Sequence, residues 1–337
     1  MSKQVGFGPG LVRTLACAAA LMAAPVAHAA DVTMRMESVL SATDLWTKLT
    51  ERFAERIKER TGGAVEIRVF ANGELSRDTV TQFENIQAGT LDGAIVNSQP
   101  LSGFDERLNV FSLPFLARTA DEYHALLDGP GKELWTSSLE KLGVVGIPEA
   151  TSMGGFRQLT NSVRPIRTPE DLTGLTIRMP GSTLYRDIWA TMKVNTSSMP
   201  FGELIGALET GVVSGQENPL NVIESAKLNM FQKYLTVWNY TNSSMVFAFN
   251  EDSWAKLSPE QQAIFREEAV AAAAWHREAM TAVDTEVLAR FKKDKAFEDI
   301  VELDETQTAA FMKATAPVYD IWRKRLGAEL VDAFLPK

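Results

Sequence analysis

The sequence predicts an α/β fold built from two units, and three observations carry that expectation. Short β-branched and apolar runs alternate with helical stretches from residue 32 onward, the rhythm of sheets with helices on their faces. A second series opens at Ile166-Arg167-Thr168-Pro169-Glu170-Asp171, where Thr168 is a natural N-cap and Pro169 occupies the first helical position. A helical stripe over 258–291 would extend on the order of 50 Å at 1.5 Å per residue. That exceeds the width of either unit, so this helix is expected to run along both.

The elements follow in order. Residues 32–36 read as a strand, then Thr43 or Asp44 caps a helix over 45–60 that Gly62-Gly63 terminates. Alternation over 65–70 predicts the next strand, Asn72-Gly73 a turn, 78–88 a helix and 91–96 a strand. Helices are expected at 120–128 and 132–141, with a strand at 144–148. In the second series, strands are expected at 175–179 and 195–198 and helices at 183–192 and 202–210. Val212-Val213 reads as a short strand running into a loop. Residues 238–240 and 245–250 supply later strand segments. The long helix starts at a Ser-Pro-Glu cap, and its apolar positions are Phe265, Ala269, Ala272, Ala279, Val283, Val287 and Phe291, in steps dominated by three and four.

The first thirty residues have the pattern of an export signal. Lys3 and Arg13 form a basic start, an apolar stretch lies over 15–24, and Ala27-His28-Ala29 offers the small-x-small cleavage pattern. The stretch is shorter than the ~20 residues that span a bilayer. Cys17 has no apolar run before it, so a lipid anchor is not expected. Removing 1–30 moves the formal net charge from −9 to −11 and takes away the single cysteine. The mature chain is therefore expected to have no disulfide, thiol nucleophile or cysteine metal ligand, and a monomer is expected. Its acidic balance argues against nucleic acid and anionic membrane as partners.

Hydrolytic chemistry has little to stand on. After residue 30 only His124 and His276 remain as histidines, one in an ordinary helical segment and one on the long helix's stripe. No His-Glu-x-x-His, Gly-x-Ser-x-Gly or phosphate-loop pattern occurs, and Gly129-Pro130-Gly131-Lys132 lacks the spacing and the hydroxyl residue of a phosphate loop. No enzyme activity, cofactor or metal is expected. Anion capture is better supported. Guanidinium is shaped to take a carboxylate in two parallel hydrogen bonds. Most arginines on an exported protein are surface ion pairs, but Arg178 sits between Ile177 and Met179 at the end of an expected strand. Pro180 then stops the pairing, at the place where ligands sit in α/β sheets.

Six segments, taken together and in order, resemble the solute-binding subunits of tripartite ATP-independent periplasmic (TRAP) transporters, the dicarboxylate-binding-protein-like family. They are Gly-Gly-Ala-Val-Glu-Ile-Arg-Val-Phe-Ala-Asn-Gly-Glu-Leu from Gly62, Ser-Leu-Pro-Phe-Leu from Ser112 and Gly-Phe-Arg-Gln-Leu-Thr-Asn-Ser from Gly155. Pro-Glu-Asp-Leu-Thr-Gly-Leu-Thr-Ile-Arg-Met-Pro from Pro169, Glu-Leu-Ile-Gly-Ala-Leu-Glu-Thr-Gly-Val-Val from Glu203 and Gly-Gln-Glu-Asn-Pro from Gly215 complete the set. The resemblance covers about residues 31–255, and the long helix fits the family's lobe-spanning helix. It implies a two-lobed α/β periplasmic binding protein with mixed sheets and a cleft between the lobes. One lobe would hold 31–154 and 243–282, the other 155–242 and 283–337.

It also implies residue roles. Arg178 would pair with the ligand carboxylate, Arg157 would be a second cationic contact, and Asn218 would be the polar partner beside it. Phe201 would pack over the carboxylate, and Asn97 would face the ligand from the first lobe. The chain departs from the family pattern at Ser214, where aspartate is usual, at 151–153, where an aromatic is frequent before Gly-Phe-Arg, and at Trp238 and Tyr240, near the place of a common histidine. Trp238 and Tyr240 are thus candidates for choosing the ligand, with core packing as their alternative role. The function implied is periplasmic capture of a small organic acid for the membrane subunits of a TRAP transporter. The runners-up are an ABC-type binding protein or a sensory receptor with the same clamp.

Overall fold

The computed structural model describes residues 1–4, 6, 30–76 and 78–335. The expected export segment 1–30 lies almost wholly outside them. Eleven strands among the described residues form two mixed sheets: β1 (Val32–Glu37), β2 (Val65–Phe70), β3 (Gly93–Asn97), β4 (Val145–Met153), β5 (Arg157–Asn161), β6 (Thr176–Met179), β7 (Asn195–Ser198), β8 (Gly215–Pro219), β9 (Tyr234–Val237), β10 (Ser244–Phe249) and β11 (Asp299–Glu302). The first sheet runs β2-β1-β3-β10-β4 and the second β11-β9-β5-β8-β6-β7. The α/β architecture in two units is therefore present.

In the first unit, β1 and β2 pair in parallel from Val32↔Val65 to Glu37↔Phe70, joined by the helix Leu45–Arg60. Asp44 caps that helix, accepting a 2.9 Å hydrogen bond from the Trp46 amide. Leu49, Phe53 and Ile57, four residues apart, form its buried face. The Phe53 ring lies 4.8 Å from that of Phe247 and 5.4 Å from that of Phe265, which ties helix, sheet and long helix into one core.

The long helix is Pro259–Asp294, and its Ser258 and Gln261 cap each other reciprocally. Its first half buries Phe265, Ala269, Ala272, Ala273 and His276, and its end buries Val287 and Phe291. Phe265 to Ala273 pack in the first unit's core, whereas Val287 and Phe291 join a cluster with Leu204, Leu220 and Leu235 of the second. The expected Ala279 is only half-buried, because the 3.6-residue stripe passes through His276 and Met280 instead.

Asp284 sits between these halves, and its Oδ1 is buried without a hydrogen-bond partner among the described residues. Burial pushes its carboxyl up to about 7 from an ordinary 3.8. A raised carboxyl means the native state binds more protons than the unfolded chain between these values, so stability falls as pH rises from about 4 to about 7. Asp284→Asn is expected to stabilise the protein by roughly 2–4 kcal/mol at pH 8, and by little at pH 4. Urea denaturation at the two pH values checks this.

Three expectations are corrected. Residues 157–161, not expected as a strand, form β5 at the centre of the second sheet, flanked by β9 and β8. Val212-Val213 is not a strand: Val213 is buried, Val212 is exposed, and the strand is the following Gly-Gln-Glu-Asn-Pro. Its polarity hid it, since a fully buried strand ordinarily reads as an apolar run. Residues 238–240 are irregular, because β9 ends at Val237. The C-terminal helices make contacts on both sides: Trp322 Nε1 donates to Asp187 at 3.1 Å, while the Tyr319 hydroxyl donates to the Pro114 carbonyl at 2.7 Å.

Besides the long helix, two short segments cross between the sheets, and they lie side by side. Gly154, Gly155 and Phe156 join β4 to β5, and 238–243 join β9 to β10. The Gly154 amide donates to Ser243 O at 2.7 Å and the Arg157 amide to Thr241 O at 3.0 Å. Gly155 has φ 98°, and a Cβ there would stand 2.7 Å from Met280 Cε and 2.8 Å from Pro219 Cβ, so only glycine fits this crossing.

Candidate functional site

Three neighbouring strands of the second sheet meet at the site, where the carboxyl ends of β6 and β8 adjoin the amino end of the antiparallel β5. β8 lies between β5 and β6, with Arg157 opposite Pro219 and Arg178 opposite Gln216. Pro180 and Gly181 end β6 just past Arg178 and join it in lining a cavity of about 540 Å³. From the other side come Val39, Leu40, Trp46, Asn97 and Gln99 of the first unit. A volume of that size suits a small organic ligand.

The two arginines are in opposite electrostatic situations. Arg157 is 6% exposed and ion-paired to the buried Glu217 through Nε, with Nη2 2.9 Å from Glu217 Oε1 and 3.0 Å from Asn218 Oδ1. Burial opposes its charge, but Glu217 outweighs that and raises it further. Arg178 is 3% exposed and donates from Nε (3.1 Å) and Nη2 (2.7 Å) to the single carbonyl of Met199. Among the described residues no carboxylate lies within 4 Å of it. Burial, and then the charge of Arg157, pull its guanidinium down to about 10. Glu217 and Glu203 offset this only in part from farther away, so among the described residues Arg178 is a buried cation without a directly paired anion, an arrangement that costs several kcal/mol unless a counter-charge arrives.

Around them the site is held by short-range structure. The Phe201 ring centre is 6.0 Å from the Arg178 guanidinium carbon, within cation–π range. Asn218 accepts from Arg157 and donates to Gln216 Oε1. Asn97 ends β3, where its Oδ1 accepts from the Gln99 amide at 2.8 Å and its Nδ2 donates to Ser243 Oγ at 2.9 Å. Ser214, the departure from the usual aspartate, is a stitch: its Oγ accepts from the Thr176 amide at 2.9 Å.

Five of the seven residues expected at the ligand line the cavity: Arg178, Arg157, Asn218, Phe201 and Asn97. Trp238 and Tyr240 do not. With β9 ended, the chain turns into the core, and Trp238 packs 5.2 Å from the Phe311 ring and 4.4 Å from that of Tyr240. The Tyr240 hydroxyl donates to Glu217 at 2.8 Å, so it holds the anion that neutralises Arg157 from behind the cavity. Sequence reasoning missed Trp46 and Gln99. Gln99 follows the carboxyl end of β3 by two residues, and its side chain spans from Tyr185 to Arg157 Nη1, the latter at 3.4 Å. The family resemblance led to Asn97, and the general rule that ligands sit beyond carboxyl strand ends could have drawn attention to Gln99 two residues on. Neither His124 nor His276 lines the cavity. His276 is buried against Ser152 Oγ at 2.7 Å, and burial pushes its ring down to about 3, so it stays neutral.

The profile described as "Bacterial extracellular solute-binding protein, family 7" matches residues 36–325. The 2,3-diketo-L-gulonate-binding periplasmic protein of Escherichia coli is 30% identical over 318 residues, covering 94% of this chain and 95% of its own. A TRAP periplasmic solute-binding protein of Ralstonia eutropha, crystallised with (S)-2-acetolactate, superposes with a TM-score of 0.81 at 33% identity, over 90% of this chain and 97% of its own. Another, from Sulfurospirillum deleyianum with bound succinate, gives 0.85 at 27% identity, over 90% and 98%. With the motifs in order, two mixed sheets and a cavity between them, this chain belongs to family 7 of the bacterial extracellular solute-binding proteins, the TRAP solute-binding family that its motifs resemble.

Proposed function

We propose that this protein captures a small organic carboxylate in the periplasm and presents it to the membrane subunits of a TRAP transporter. The observation that carries this reading is Arg178, a buried guanidinium in a cavity wall with no carboxylate within 4 Å among the described residues. A ligand carboxylate completes that charge, and hydrogen bonds to charged groups contribute about 1.5–3 kcal/mol each. Relatives crystallised with succinate and with acetolactate support the chemical class.

Residues 31–154 with 243–282 form one lobe of the clamp, and 155–242 with 283–337 the other. Contacts already bridge them across the cavity: the Ser225 hydroxyl donates to Asp44 Oδ2 at 2.9 Å, and Ser182 Oγ to Asn109 Oδ1 at 3.0 Å. A ligand that touches both walls favours the closed arrangement by its differential affinity for it. The closed monomer then docks on its membrane partners, no bond is broken in this chain, and residues 1–30 direct export. A thermal-shift screen of C4-dicarboxylates, sugar acids, 2-oxo acids, sulfonates and aromatic acids tests the reading. A true ligand at 100 times its dissociation constant adds about 2.7 kcal/mol of stability. No shift with any acid, or chemical turnover of one that binds, overturns it.

A further inference from the structure

Resting on the reading of a two-lobed clamp that closes on a carboxylate, we infer that Asp44, Ser225 and Asn221 are positioning residues, a latch that holds the closed lobes on the ligand. The two oxygens of Asp44 have separate duties. Oδ1 caps the helix Leu45–Arg60 through the Trp46 amide, a bond within the first unit. Oδ2 faces the second unit, where it accepts from Ser225 Oγ at 2.9 Å and from Asn221 Nδ2 at 3.4 Å. The residue is 1% exposed, and among the described residues no basic side chain lies within 4 Å of its carboxylate. Burial pushes that carboxyl up, while the Trp46 amide and the Ser225 hydroxyl pull it back in part.

An opened clamp returns Oδ2 to water. Closing therefore strips a charge of its hydration, and the Ser225 hydroxyl supplies the shorter of the two replacement bonds. Asn221 and Ser225 stand four positions apart on one face of the helix Leu220–Ser225. That helix follows β8 without a loop, so the latch is tied closely to Asn218 and Pro219 in the cavity wall. On the other side, Asp44 precedes Trp46, another lining residue, by two positions. A ligand that draws the two walls together thus brings donor and acceptor into place. The Ser182–Asn109 pair across the cleft differs, because it is neutral on both sides and uncovers no charge when it breaks.

Stopped-flow and calorimetric titration of the mature chain test this. The probe is whichever of succinate, (S)-2-acetolactate, D-galacturonate and the other acids of the thermal-shift screen binds the parent most tightly. Ser225→Ala removes a hydroxyl that has no second partner among the described residues. It is expected to raise the dissociation rate about tenfold, because a buried charge loses its best donor. Association should stay within about twofold of the parent's, and the ligand-free melting temperature should not change. Asp44→Asn keeps the cap, since asparagine caps as well as aspartate, and removes the buried charge. In that background Ser225→Ala should raise the dissociation rate by less than about threefold. A parent-like dissociation rate in Ser225→Ala, or an equal loss in both backgrounds, overturns the latch while leaving carboxylate capture intact. A lower ligand-free melting temperature with dissociation unchanged makes Ser225 a structural residue only and overturns it as well. If no acid binds the parent, carboxylate capture and the latch that rests on it fall together.

Discussion

Arg178→Ala is expected to weaken binding of the cognate carboxylate by 100-fold or more, about 3–5 kcal/mol, because the ligand anion is left buried without a partner. The loss should be almost entirely in affinity, with the fold intact. Removing the guanidinium relieves the protein of a buried cation whose only hydrogen-bond acceptor among the described residues is the Met199 carbonyl, so the melting temperature of the ligand-free variant should equal or exceed that of the parent. Arg178→Lys keeps the charge but not the planar fork, and should lose roughly tenfold or more. Calorimetric titration with paired thermal melts reads both quantities. Normal binding by the alanine variant would remove the carboxylate assignment altogether.

Glu217→Gln should show the opposite pattern, a stability loss with binding partly preserved. Glu217 is fully buried, accepts from Arg157 and Tyr240, and supplies the negative charge that cancels Arg157. Breaking a buried ion pair on one side costs about 3–5 kcal/mol, and at ~2–4 °C per kcal/mol the melting temperature should fall by roughly 10 °C. The cavity then holds two unbalanced guanidinium groups. Saturating carboxylate should therefore stabilise the variant by more degrees than the parent, and succinate should gain affinity relative to a monocarboxylate. Equal ligand shifts in both proteins would mean that Glu217 does not set the charge of the site.

Much of this was legible in the sequence where a single local rule applied. The helix Leu45–Arg60 and the long helix have strong caps and a buried stripe, and their limits were expected to within a few residues. β8 was not legible, for a reason tied to function. Gln216, Glu217 and Asn218 are buried polar side chains that pair across strands, so hydropathy reports a loop where the sheet has its centre. Arg178 could be singled out because a strand end and a proline bracket it. That Arg157 is already neutralised by Glu217 could not be read, since the pairing depends on β5 and β8 lying antiparallel. Trp238 and Tyr240 stand close in sequence to the ligand strands but turn away once β9 ends. Adjacency along the chain did not translate into adjacency to the cavity.

Arg157, Arg178, Phe201 and Asn218 all belong to one sheet and its turns, while Trp46, Asn97 and Gln99 stand on the other unit. This division separates two kinetic roles. The cationic half can receive an anion before any lobe motion, so the rate of capture belongs to that half and depends on ionic strength. On the proposed closure the opposite wall adds its own contacts, so it is expected to govern how long the ligand stays. Evolution can then retune residence time through that wall without disturbing the landing site. A transporter that must release its cargo on docking gains a place where dwell can be shortened independently of capture.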